Sequence, residues 1–132
     1  MHFISTRTPN VQATASETLT QGLAPDGGLY VPASFPQADP HDAPSDAIAD
    51  IAAHMLAPYF EGDPLAEVLT QVCADTFSFP VPLRDIGRDT SVLELFHGPT
   101  AAFKDVGARF LASALSHLNE GADQPITILV AT

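Results

Sequence analysis

Lys104 is the only lysine in the chain, and it lies in Leu95-Phe96-His97-Gly98-Pro99-Thr100-Ala101-Ala102-Phe103-Lys104-Asp105-Val106-Gly107, among the least polar surroundings the sequence offers. An amine in an apolar setting loses solvation, its pKa falls, and the freed lone pair can attack a carbonyl carbon. That combination points to Schiff-base chemistry. The competing reading lays the lysine stem along the core beside Phe103 and points its charge into water. Other chemistries have less support. Cys73 is a single cysteine on a helical pattern beside Val72, which suits a small core residue. His54 lies off its helix's apolar stripe without a partner at ligand spacing, so no metal site is expected. His97 could pair with a nucleophile, yet reads mainly as structural.

The elements that must position Lys104 follow from periodicity. Phe103, Val106, Gly107, Phe110, Leu111, Ala114, Leu115 and Leu118 recur at i, i+3, i+4 and define a helix over 100–118. Thr100 is its expected N-cap, which sets Lys104 in the opening turns, where the helix dipole disfavours an ammonium and favours a neutral amine. Asp105 suits the same dipole as a first-turn acid. Arg109 is expected either to meet a phosphate or to pair with Asp105 one turn back. Val92–Phe96 reads as a strand before this helix and Ile126–Ala131 as a buried strand after it. Strand, helix, strand is a βαβ unit of a parallel sheet, with Lys104 near the carboxyl edge where such sheets bind ligands.

Upstream, Phe3–Thr6 and Leu29–Val31 are short strand candidates, the latter fed by the turn Pro25-Asp26-Gly27-Gly28. Residues 33–44, rich in Pro and Asp, read as surface loop. A helix capped by Ser45 carries Ile48, Ile51, Ala52, Met55 and Leu56 up to Pro58, and Asp63-Pro64 opens another with Leu65, Val68, Leu69 and Val72 on one face. These two amphipathic helices are expected to pack together. The prolines of Phe79-Pro80-Val81-Pro82-Leu83 mark a boundary, dividing the chain into 1–79 and 80–132.

Composition bounds the partners. The 132 residues, 45% hydrophobic, suffice for a modest folded core, and five basic against 16 acidic residues give a formal charge of −11. That charge repels nucleic acid and anionic membranes. The opening residues lack the apolar run of a signal peptide and no stretch reaches bilayer length, which points to a cytoplasmic protein. Two strands cannot cover both faces of a parallel sheet, so the chain is expected to be the amino-terminal part of a larger enzyme.

Two segments resemble one family. Gly22-Leu23-Ala24-Pro25-Asp26-Gly27-Gly28-Leu29-Tyr30-Val31-Pro32 and the Lys104 segment, in this order and preceded by Phe3-Ile4-Ser5-Thr6-Arg7, are similar to threonine synthases of the bacterial and fungal type. The resemblance spans essentially the whole chain. It implies a pyridoxal-phosphate enzyme of fold type II, tryptophan-synthase-β-like: an α/β amino-terminal domain over 1–79, then the first βαβ unit of the cofactor domain over 80–132. It implies that Lys104 carries the cofactor, with Phe103 and Thr100 as further cofactor contacts and no metal. The implied reaction converts O-phospho-L-homoserine and water to L-threonine and phosphate. In this register the family's glycine-rich phosphate loop falls after Thr132, so the isolated chain is expected to be inactive. The alternatives are a threonine-synthase-like phospholyase and a non-catalytic binding module, and continuation of the reading frame past Thr132 separates the module from the enzymes.

Overall fold

The computed structural model describes residues 1–121 and 126–128. It is a mixed α/β arrangement of short strands and four helices. β1 (Phe3–Ser5) lies between β2 (Gln12–Ala13) and β3 (Tyr30–Pro32), antiparallel to both, with Phe3 opposite Ala13 on one side and Pro32 on the other. Proline is tolerated in β3 because the strand is an edge.

Helix α1 (Ala15–Gln21) was not anticipated from periodicity, yet its start carries a clear signal. The Thr14 side chain accepts from the Glu17 amide at 3.2 Å while Glu17 accepts from the Thr14 amide at 2.7 Å, a reciprocal capping box that satisfies two helix-end donors. Gly22, at φ 72°, closes the helix.

The Pro25–Gly28 turn is held from β1. Buried Ser5 donates to both Asp26 carboxylate oxygens at 2.8 and 2.9 Å, and the Gly28 amide donates to the same carboxylate at 2.9 Å. Arg7 adds a guanidinium bond to the Asp26 carbonyl at 3.0 Å. A Cβ at Gly28 would come within 3.1 Å of the Arg7 amide and collide with the Ser5 hydroxyl, so the glycine is required by close approach. The turn therefore locks the amino-terminal sheet.

α2 (Ile48–Leu56) forms where expected, but its N-cap is Ala47 with no side-chain bond. Ser45 instead accepts from the Ala47 amide at 3.1 Å and donates to Asp50. Asp63 does act as a cap, at the head of a 3-10 turn over Pro64–Glu67 that leads into α3 (Leu69–Thr76). Its buried carboxylate accepts from the Leu65 amide at 3.0 Å and from the Ser16 amide of α1 at 2.9 Å, joining two helical starts through one acid. The core forms between these helices and α4 (Lys104–Leu118), with Ala15, Phe60, Leu65, Leu69, Val72, Cys73 and Ala114 buried together.

The second segment departs from expectation. The strand expected over 92–96 is β5 (Thr90–Leu93), and it pairs antiparallel with β4 (Leu83–Gly87), which periodicity did not indicate. The hairpin was hidden by its turn: Arg88 and Asp89 both adopt φ 55°, a conformation that Asn-Gly normally announces. No parallel pairing occurs among the described residues. Of the strand expected over Ile126–Ala131, residues 126–128 are outside regular structure and 129–131 lie outside the described residues.

Two outcomes are expected from this packing. Burial pushes the Cys73 thiol up to about 11, so Cys73 is expected to resist thiol reagents in the folded chain at neutral pH and to react on addition of denaturant, read by mass change. The Gly28 amide, then Ser5 and Thr8, hold the Asp26 carboxyl below its ordinary 3.8, with Arg7 adding a smaller push. Its ionised form therefore favours the fold, fully above the ordinary value and decreasingly as pH falls through the lowered one. The stability advantage of the wild type over Asp26→Asn should shrink between neutral pH and about pH 2, measured by urea unfolding.

Candidate functional site

Lys104 is the first residue of α4, with Phe103 as N-cap in helical conformation and no side-chain cap bond. The helix thus begins after Thr100, the expected cap. Lys104 is exposed, and among the described residues its amine has no hydrogen-bond or ion-pair partner. The apolar enclosure expected around it is not supplied by the described residues. Phe103 is 68% exposed, outside the core stripe to which periodicity assigned it. Of that stripe Ala114 and Leu115 are buried and Val106, Phe110, Leu111 and Leu118 half-buried, so the core lies toward the far end of α4.

Asp105 is in the first turn as expected, but Thr100 is not the cap. Thr100 caps nothing; Asp105 reaches back and accepts from the Thr100 amide at 2.9 Å and its hydroxyl at 2.8 Å. The carboxylate is 5% exposed. It fills the space beside Gly98, where a Cβ would lie 2.8 Å from the Asp105 Cγ. The turn is closed by the Ala101 amide donating to the Gly98 carbonyl at 3.0 Å, and Ala101 sits at φ 54°, a left-handed conformation that costs a non-glycine residue about 1 kcal/mol or more. This clamp was invisible in the sequence, where Asp105 has an ordinary explanation as a first-turn acid.

Arg109 does not pair with Asp105. Its guanidinium donates to the carbonyls of Asp75 at 2.6 Å and Thr76 at 3.2 Å and to the Ser78 hydroxyl at 2.8 Å, occupying the carboxyl end of α3, and it lies 6.0 Å from the Phe79 ring centroid. His97 hydrogen-bonds Glu94 through Nε2 at 2.7 Å and packs on Phe96, with ring centroids 4.7 Å apart. His97 is thereby committed to its own loop. His54 is half-buried at the edge of α2. Among the described residues no three His, Cys, Asp or Glu side chains gather as a metal site.

An apolar groove of about 390 Å³ opens among α1, α2 and α4, walled by Phe3, Leu19, Leu56, Tyr59, Phe77 and Phe110. Lys104, Phe103 and Thr100 are not in its lining, and its wall offers nothing to an anionic ligand. Lys104 and this groove are separate. The donor set near Lys104 nevertheless suits an aldehyde-bearing cofactor: an accessible amine that no carboxylate among the described residues pairs with, on a helix start whose preceding turn is fixed. No helix of the described residues is long and apolar enough to cross a membrane.

Known proteins share this fold. A family model described as threonine synthase N terminus matches residues 2–77. Threonine synthase from Escherichia coli (strain K12) is 34% identical and that from Haemophilus influenzae 35% identical, each across the whole of this chain. The chain spans 31% of the length of each of these relatives. The crystal structure of the Escherichia coli threonine synthase superposes with a TM-score of 0.80 over 89% of this chain and 28% of that one. The PLP-bound threonine synthase from Brucella melitensis gives 0.80 at 32% identity, over 91% of this chain and 28% of that one. With more than half its residues inside the family model and the rest aligned to these enzymes, the chain belongs to the threonine synthase family, of which it represents the amino-terminal portion.

Proposed function

We propose that this chain is the amino-terminal portion of a pyridoxal-phosphate enzyme that converts O-phospho-L-homoserine and water to L-threonine and phosphate. The observation that carries the reading is Lys104: the sole lysine, accessible and unpaired among the described residues, at the first position of α4 in a chain of this family. Lys104 Nζ would hold the cofactor through its carbonyl carbon, with Phe103 and Thr100 as neighbours on the same turn. When bound, the cofactor would serve as an electron sink that makes the substrate Cα and Cβ protons removable, so that phosphate could leave Cγ, a proton could be delivered to Cγ to make the methyl group, and water could add at Cβ. Lys104 Nζ, once released by the substrate amine, is the base that takes the Cα proton and returns it.

The division into an amino-terminal domain over 1–79 and the opening of a cofactor domain over 80–132 is part of this proposal, supported by the family match to residues 2–77 and by the prolines at 80 and 82. The partner of these 132 residues is then the remainder of their own catalytic domain. Exposure of Leu83, Ile86, Leu93, Phe96 and Phe103 supports that partner, because an isolated two-stranded hairpin is marginal in water. On this reading the 132 residues alone are inactive, and the acidic composition and lone cysteine suit the cytoplasm.

Borohydride reduction of the full-length protein loaded with pyridoxal phosphate, followed by peptide mass mapping, should find the pyridoxyl adduct on Lys104. An adduct on another lysine, or none, would overturn the assignment. Product analysis with O-phospho-L-homoserine should yield threonine; phosphate released without threonine would make the protein a phospholyase.

A further inference from the structure

We propose that Asp105 is a positioning residue for Lys104: its carboxylate clamps the Gly98–Thr100 turn onto the first turn of α4 and so fixes the backbone from which the cofactor-holding amine projects. The proposal rests on the assignment of Lys104 made above. Lys104 has no side-chain partner among the described residues, so its order is set by the backbone beneath it. A lysine stem has four rotatable bonds, and only a fixed Cα limits where its amine can reach.

Three observations make Asp105 the residue that fixes it. Its carboxylate is buried yet meets no cation among the described residues; its two oxygens are taken by the amide and the hydroxyl of Thr100. Gly98 leaves room for the carboxylate, since a Cβ there would lie 2.8 Å from the Asp105 Cβ and Cγ. Ala101, between the clamp's two ends, is held at φ 54°, and a strained residue persists only where its surroundings over-determine it. The bonds of Asp105 end on the loop that leads into Lys104. The clamp therefore orders a local turn, with the fold's main packing elsewhere.

The charge of Asp105 is not what the clamp needs. Asparagine can accept from the Thr100 amide through its carbonyl and donate to the hydroxyl through its amide, keeping both contacts. Alanine removes both. Gly98→Ala attacks the clamp from the other side by driving a Cβ into the carboxylate, and it carries the same test should Asp105→Ala unfold the protein.

The experiment uses the full-length apoprotein. Pyridoxal phosphate is added, borohydride quenches at timed intervals, and the adduct at Lys104 is counted by mass spectrometry. The pH midpoint of the bound-cofactor absorbance and the thermal unfolding of the apo form are measured in parallel. Asp105→Ala and Gly98→Ala should slow capture about ten- to a hundredfold and move the absorbance midpoint, and Asp105→Asn should stay within about threefold of wild type. Wild-type capture and midpoint in both Asp105→Ala and Gly98→Ala would overturn the clamp. So would an Asp105→Asn defect equal to that of Asp105→Ala, or capture lost only in proportion to the unfolded fraction. If the wild type forms no adduct at Lys104, the functional assignment falls and the clamp's role with it; an adduct at Lys104 with indifferent variants removes the clamp alone.

Discussion

The contact between α3 and α4 is the constraint on which the candidate site depends. Cys73 and Ala114, both fully buried, are small enough to let the two helices approach closely, and Arg109 closes the seam by donating to the last carbonyls of α3. Ser113 adds a hydroxyl bond to the Asp75 carboxylate at 3.0 Å. The last carbonyls of a helix lack intrahelical donors, and an arginine whose fork meets two of them fixes the axial position of the neighbouring helix. Lys104 is the first residue of that helix, about one and a half turns before Arg109. The helix it opens is therefore anchored to the part of the chain that precedes the proline-rich boundary.

Local spacing governs the features that could be read in the sequence. Lys104 stood out by being single, and α2, α3, β1, β3 and the core stripe of α4 follow from periodicity and from Asp63 and Pro64 as a helix start. α1 was legible and missed: Thr14 and Glu17 spell a capping box, but the polar Ser16, Thr18, Thr20 and Gln21 conceal the apolar face of Ala15 and Leu19. The hairpin was not legible, because its turn is built from Arg88 and Asp89, residues that take positive φ only at a cost. The partners of Asp105 and Arg109 were likewise beyond local reasoning. A carboxylate that turns back onto the loop before its helix, and a guanidinium that meets carbonyls more than thirty residues upstream, are decided by tertiary geometry.

The fold also separates two tasks by polarity. Buried carboxylates do the positioning: Asp63 joins α1 to the turn before α3, and Asp105 joins Thr100 to α4. Each is satisfied by amides and hydroxyls, so neither leaves an unpaired polar atom. The apolar surfaces remain open instead, in the groove bounded by Leu19, Tyr59 and Phe110 and on the exposed hairpin.

The solitary amine has a practical side. Lysine reagents usually report an average over many sites, but here the side-chain amine signal is Lys104 alone. The other amine, at Met1, donates to the Glu61 carbonyl at 2.8 Å, at a place in the fold distinct from the start of α4. Acylation, fluorophore attachment or isotope-edited methylation of this chain thus has one side-chain target, beside the Met1 α-amine, and that side chain is the one assigned to hold the cofactor.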